Sequence, residues 1–328
     1  MVIVAVFSVS IVGLNMGFSK LLANTYHGDE VVGGMDLPMQ EDGSFMNKSL
    51  DVKVYKTTAE VPQRVAKENT TEGILDRIKH RSVLRVGYNS NSIPFTFFNK
   101  KGSLVGYDVE MAYELAHFIE VKRIEFIPVS YSSMDESLNS GACDIIMAGV
   151  PVTPERLDKV TFTTPYLALH LAVVVKDNRK DDFMRLEDIQ KMAGLRLAAP
   201  VGSEYLNIST ELFPNATMLK INNSREFFVG DKADALLTTA EEGSVMTLLN
   251  PFYDVAMFEP SDTYKVLCAY SIAKSSDESF QTLLDYWIRM DEEYGTLKER
   301  YDYWMLGKGV EKKLPRWCVV RDVLHWED

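Results

Sequence analysis

The residues best suited to chemistry lie in one short run, Thr153-Pro154-Glu155-Arg156. Thr is a favoured helix N-cap and Pro suits the first helical position, so the run predicts a helix whose first turn carries the Arg156 guanidinium. The unpaired N–H groups of such a turn favour an anion, and a guanidinium fork adds parallel donors that match a carboxylate. The combination points to capture of an acid group rather than to bond breaking. A surface arginine paired with Glu155 or Asp158 is the competing reading. Gly202 and Ser203 open a second predicted helix and offer N–H groups to the same anion, or simply cap that helix. Asn89 begins a polar run after an apolar strand, and open α/β sheets hold ligands at such strand ends.

No Ser/His/Asp set, phosphate-binding loop or metal cluster is legible, so no catalytic residue, metal ion or cofactor is assigned. Cys143, Cys268 and Cys318 are far apart and lack Cys-x-x-Cys spacing, and they read as small buried residues. The histidines are scattered as well.

These residues need a scaffold, and the apolar pattern supplies one of alternating helices and strands. ILDRIKHRSV reads as an amphipathic helix opened by Gly73, and Leu84–Tyr88 as a strand. Asp108 is the expected N-cap of a helix with Val109, Ala112, Leu115, Ala116 and Ile119 on one face. RIEFIPV comes next as a strand, then a helix with Ser133 and Glu136 as its capping box, then the apolar run DIIMAGV as a covered strand. A second set begins with strand Leu171–Val175 and continues with helix Leu186–Met192, LRLAAP, helix Ser203–Phe213, TMLKI, helix Ser224–Gly230, DALLT and KVLCAYSIAK. Helices at about 277–294 and 297–304 finish the pattern. The order implies α/β layers around largely parallel sheets.

The chain has 328 residues, enough for about two globular units at roughly 150 residues each. A net charge of -12 and a pI near 5.0 leave few cations to neutralise phosphates, so nucleic acid is not an expected partner. Val2–Ala23 is apolar over about one bilayer thickness, with Lys20 as its only charge. Residues 1–23 are therefore expected to be a transmembrane anchor or signal segment that associates with the membrane. No basic residue precedes the apolar run, and Leu21 suits a cleavage site poorly, which favours an uncleaved anchor. Gly33, Gly34, Pro38, Gly43 and Pro62 interrupt the stretch after it, so 24–72 reads as a linker.

The phrases LRVGY, Pro94-Phe95, LVGYDVEMAYELA, LNSGACDIIMAGV, VTPERLDKVTFTTPY, RLEDIQKMAGLRL, KADALL and YGTLKERYDYWMLG occur in this order. Together they resemble the family 3 extracellular solute-binding proteins over about Ile74 to Gly307. The resemblance implies an α/β, two-lobed type II periplasmic-binding-protein fold with a two-stranded hinge near Pro165–His170 and Tyr264–Ala269. The binding domain would span 73–328, with lobe 1 at about 73–167 and 270–328 and lobe 2 at about 168–269. It implies an extracytoplasmic protein that captures a small carboxylate-bearing solute, an amino acid or dicarboxylate, for a membrane transporter.

At the site, the resemblance assigns the ligand carboxylate to Arg156 and a packing aromatic to Tyr131, with Asn89 lining lobe 1. Gly149 to Pro151 would supply main-chain groups, although the family usually has Thr or Ser where Pro151 stands. Thr239 occupies the place of the acid that meets an α-ammonium, and Glu241 is the nearest substitute, unless it faces solvent. REFF, DALLTTAEEGSVMTLLNP and RWCVVRDVLHW are similar to modules fused behind sodium:dicarboxylate symporters. Cyclohexadienyl dehydratases resemble the same fold and give an enzymatic alternative; a sensory input domain is another.

Overall fold

The computed structural model describes residues 32–37, 50–66, 72–230, 232–260, 264–275 and 277–307. In chain order the first part supplies β1 (Asp51–Val54), α1 (Ile74–Arg81), β2 (Val83–Tyr88), β3 (Asn91–Ser92), β4 (Thr96–Phe98) and β5 (Leu104–Val105). It continues with α2 (Tyr107–Phe118), β6 (Arg123–Pro128), α3 (Met134–Asn139), β7 (Ile145–Ile146), α4 (Pro154–Leu157) and β8 (Thr161–Phe162). The chain crosses on β9 (Leu167–Lys176) to α5 (Leu186–Lys191), β10 (Arg196–Pro200), α6 (Tyr205–Leu212), β11 (Thr217–Ile221), β12 (Ala235–Thr239), α7 (Ala240–Leu249) and β13 (Tyr253–Ala256). It returns on β14 (Lys265–Cys268) to β15 (Ser271–Ile272), α8 (Ser279–Glu293) and α9 (Thr296–Trp304).

Two sheets organise two lobes. The first has the order β1-β6-β2-β7-β15-β8 and the second β11-β10-β12-β9-β13. Helical crossovers make β1, β6, β2 and β7 parallel, as they do β11, β10 and β12, whereas β15, β9 and β13 run against their neighbours. Leu171 to Val175 are all buried, which suits a β-branched run with helices over both faces of its sheet. On α8 the buried residues Phe280, Leu284, Trp287 and Ile288 recur at helical spacing. Each such side chain contributes roughly 1.5–3 kcal/mol on burial.

One strand serves both lobes. The first part of β9, Leu167–His170, pairs with Cys268–Lys265 of β14, and the rest pairs with β12 and β13 inside the second sheet. These two antiparallel segments are the crossings between lobes.

Several expectations need correction. The stretch 24–72 is not all linker: β1 adds a parallel edge strand beside β6, Tyr55 and Val65 enter the core, and Asn99 Nδ2 donates to Met35 O at 3.1 Å. The alternation in β1 is masked because its residues are mostly exposed. Ser133 makes no side-chain cap, so the capping box does not form. DIIMAGV forms a strand only at Ile145–Ile146, and KVLCAYSIAK breaks into β14 and β15 where the chain changes lobe. Ser224–Phe228 is a 3-10 turn rather than an α-helix. The proposed membrane segment 1–23 lies outside the described residues, among which no helix is long and apolar enough to cross a membrane.

Candidate functional site

Gly106, at φ 133, starts α2, because any Cβ there would lie 2.2 Å from Phe95 O. Asp108 is therefore not the N-cap but a first-turn residue, wholly buried. Its Oδ2 accepts from Gly149 N at 2.6 Å and Tyr166 Oη at 2.8 Å, and Oδ1 accepts from Tyr270 Oη at 3.4 Å. Tyr166 precedes β9 and Tyr270 follows β14, so this carboxyl pins both crossings and the turn after β7. Burial lifts its pKa from 3.8 to about 7, against the pull of those three donors.

Beyond this anchor lies a cavity of about 140 Å³ between the lobes. Its walls include Asn89, Tyr131 and Arg156 from lobe 1 and Ser203, Tyr205 and Glu242 from lobe 2. An adjoining cavity of about 350 Å³ shares Tyr131, Arg156, Ser203 and Glu204 with it, so Arg156 stands where the two meet.

The Thr153 side chain caps α4 by accepting from Arg156 N at 3.2 Å. That helix is a single turn, so its dipole adds less to anion binding than a longer helix would. The guanidinium is half-buried. Nη1 donates to Pro151 O at 2.9 Å, Nη2 reaches across the cleft to Gly202 O at 3.1 Å, and the group lies 5.5 Å from the Tyr131 ring centroid. Tyr131 is held by its hydroxyl, which donates to Ala148 O at 3.0 Å and meets Ser92 Oγ at 2.9 Å. Burial raises its pKa, keeping it a neutral phenol.

Other predicted residues are placed differently. The Gly149 N–H is spent on Asp108, and Pro151 O accepts from Arg156, so these main-chain groups serve the protein itself. Asn89 lines the cavity, but its Oδ1 accepts from Asn91 N at 3.0 Å in a local turn. Ser203 does not open α6: its N–H and hydroxyl both donate to Pro200 O, at 3.1 and 2.6 Å. Gly202 offers its carbonyl rather than its N–H to the cleft.

Thr239 is fully buried and caps α7, accepting from Glu242 N at 3.3 Å, so it does not line the cavity. Glu241 does not line it either. It is buried towards the crossing strands, where it meets His170 and Tyr301. Two acids stand on the cavity wall, and sequence reasoning passed over both: Glu204, which also lines the adjoining cavity and whose Oε2 accepts from Asn207 Nδ2 at 3.1 Å, and Glu242. Glu242 Oε2 accepts from Tyr205 Oη at 2.8 Å and Thr238 Oγ1 at 2.9 Å, while Oε1 receives no hydrogen bond from the described residues. Burial raises its pKa above the usual glutamate value. The spacing Thr239-x-x-Glu242 is that of a capping box, whose glutamate normally turns back to its own helix end. Here Tyr205 and Thr238 draw it to the cavity instead.

The cavity thus holds a guanidinium from one lobe and two carboxyls, Glu204 and Glu242, from the other, with two crossing strands behind them. Cyclohexadienyl dehydratase of Pseudomonas aeruginosa is 27% identical over 237 residues, 71% of this chain and 87% of that protein. The L-cystine-binding protein TcyJ of Escherichia coli is 30% identical over 134 residues, 41% of this chain and 49% of that one. A crystal structure of an ancestral amino acid-binding protein, a precursor of cyclohexadienyl dehydratase, matches with a TM-score of 0.64 at 28% identity, over 71% of this chain and all of that one. The sequence profile of the bacterial extracellular solute-binding proteins, family 3, covers residues 84–307, from β2 in the first sheet through the whole second sheet to the end of α9. With both lobes, both crossings and the intervening cavity inside that match, the chain belongs to the bacterial extracellular solute-binding proteins, family 3.

Proposed function

We propose that this protein captures an α-amino acid between its lobes and presents it to a membrane transporter. One observation carries the reading: Arg156 and Glu242 face the same cavity from opposite lobes, and Glu242 Oε1 accepts no hydrogen bond from the described residues. A ligand carboxylate suits the guanidinium and an α-ammonium suits the carboxyl. The ammonium also offsets the desolvation that raises the Glu242 pKa. A dicarboxylate would set a second negative charge beside Glu242, so an amino acid is the better match. The names of the amino-acid-binding relatives agree with this choice.

Thermal denaturation of the purified chain with single amino acids and with small dicarboxylates tests it, since a ligand that binds only the native state raises the midpoint. Arg156→Ala should then weaken binding by about 1.5–3 kcal/mol, tenfold or more, in calorimetry. An unchanged dissociation constant rejects the assignment.

A second reading has its own observation. Burial favours the protonated form of Glu242, which suits a general acid, and one relative is a dehydratase. Turnover of a cyclohexadienyl acid by the purified chain, abolished in Glu242→Gln, would make the protein an enzyme.

A further inference from the structure

Adjacent acids at the head of α7 face opposite ways. Glu242 lines the cavity, whereas Glu241 is only 6% exposed and lies against the crossing strands. Glu241 Oε1 accepts from Tyr301 Oη at 3.1 Å and lies 3.1 Å from His170 Nδ1, and Oε2 accepts from His170 N at 3.2 Å. His170 ends the part of β9 that pairs with β14. Tyr301 sits on α9, which belongs to lobe 1: its neighbour Trp304 donates to Glu110 Oε2 of α2 at 2.6 Å, and Tyr303 donates to Asp36 O at 2.8 Å. One carboxyl of lobe 2 therefore holds a crossing strand with one oxygen and shares the other with the opposite lobe.

We propose that Glu241 is a positioning residue that fastens the lobes in the closed arrangement, with Tyr301 as its partner across the gap. This concerns closure over the site described above and rests on the two-lobed receptor reading. The lobes are joined by two strands and can rotate about them. Rotation that separates α9 from α7 breaks the Tyr301 bond but leaves both His170 contacts, which join α7 to the crossing strand β9. The bond therefore stabilises one arrangement and not the other, which is what a shift in a hinge equilibrium requires. Because Glu241 and Glu242 share one helical turn, the contact that closes the lobes also sets where Glu242 stands relative to Arg156.

Spin labels on Phe118→Cys and Val229→Cys, both exposed and on opposite lobes, report the interlobe distance, with Cys318→Ser included and Cys143 and Cys268 buried. The full chain is measured without ligand. Tyr301→Phe removes only the hydroxyl and should raise the ratio of long to short distances on the order of tenfold. Glu241→Gln should move the same ratio, and the double variant should move it no further than the larger single effect. An unchanged distribution in Tyr301→Phe overturns the proposal, as do single effects that simply add. A lowered thermal midpoint without a change in distance also overturns it, because that marks a purely structural contact. If Glu241→Gln folds poorly, Tyr301→Phe alone decides. No amino acid enters the distance measurement, so failure of the ligand assignment and failure of the fastener are separate results.

Discussion

Asp108, fully buried, and Glu242, half-buried, are both carboxyls that accept hydrogen bonds from tyrosine hydroxyls, yet they sit in different kinds of place. Asp108 lies in lobe 1 with both oxygens engaged, by Gly149, Tyr166 and Tyr270. Glu242 lies in lobe 2 and takes its donors on one oxygen only, leaving the other without a bond from the described residues. Burial raises the pKa of each, so burial alone does not separate an anchor from the proposed binding group. The difference is whether the acid's acceptor capacity is used up inside the fold. A fully engaged carboxyl sets geometry, and a half-engaged one facing a cavity is available to a solute.

That contrast breaks most readily at Asp108. Asp108→Ala strands two tyrosine hydroxyls and one N–H in the core and should lower unfolding free energy by on the order of 3 kcal/mol in denaturant titrations. A loss below about 0.5 kcal/mol would mean the three bonds are replaceable by water. Glu242→Gln keeps an acceptor for Tyr205 and Thr238, so the midpoint of unfolding should hardly move. Amino-acid affinity should nonetheless fall about tenfold, with no loss for a ligand lacking an ammonium. Equal losses for both ligand classes would contradict the pairing.

The smallest effect is in pH. Native Asp108 keeps a proton up to about 7 that the unfolded chain releases near 3.8, so its contribution is complete below about pH 4 and is lost as pH rises through about 7. Between pH 6 and 7 alone this amounts to about 1 kcal/mol, and the slope should be shallower by that amount in Asp108→Asn. Identical slopes would place the native pKa outside this range.

Much of the architecture is legible in the sequence because its elements are periodic. The α8 stripe and the run Leu171–Val175 announce a helix and a covered strand on their own residues. Arg156 is legible for a similar reason, since the Thr153 cap and Pro154 locate it without reference to the rest of the chain. Glu241 and Glu242 are not separable this way. Which of two consecutive acids faces the cavity depends on how α7 lies against β9, a contact between distant parts of the fold. Asp108 fails for the opposite reason: aspartate is so common at helix starts that the local signal hides a long-range role. The strand β1 is missed because an edge strand with exposed residues carries little apolar alternation.

The insertion of β15 between β7 and β8 has a consequence for the order of assembly. During synthesis, β9 through β13 emerge as one uninterrupted stretch and contain every strand of the second sheet except the crossing strand β14, so that lobe can form while the chain is still being made. The first sheet waits, because β7 and β8 have no strand between them until residues 271–272 have been added. The earlier-made lobe is thus the later one to be completed.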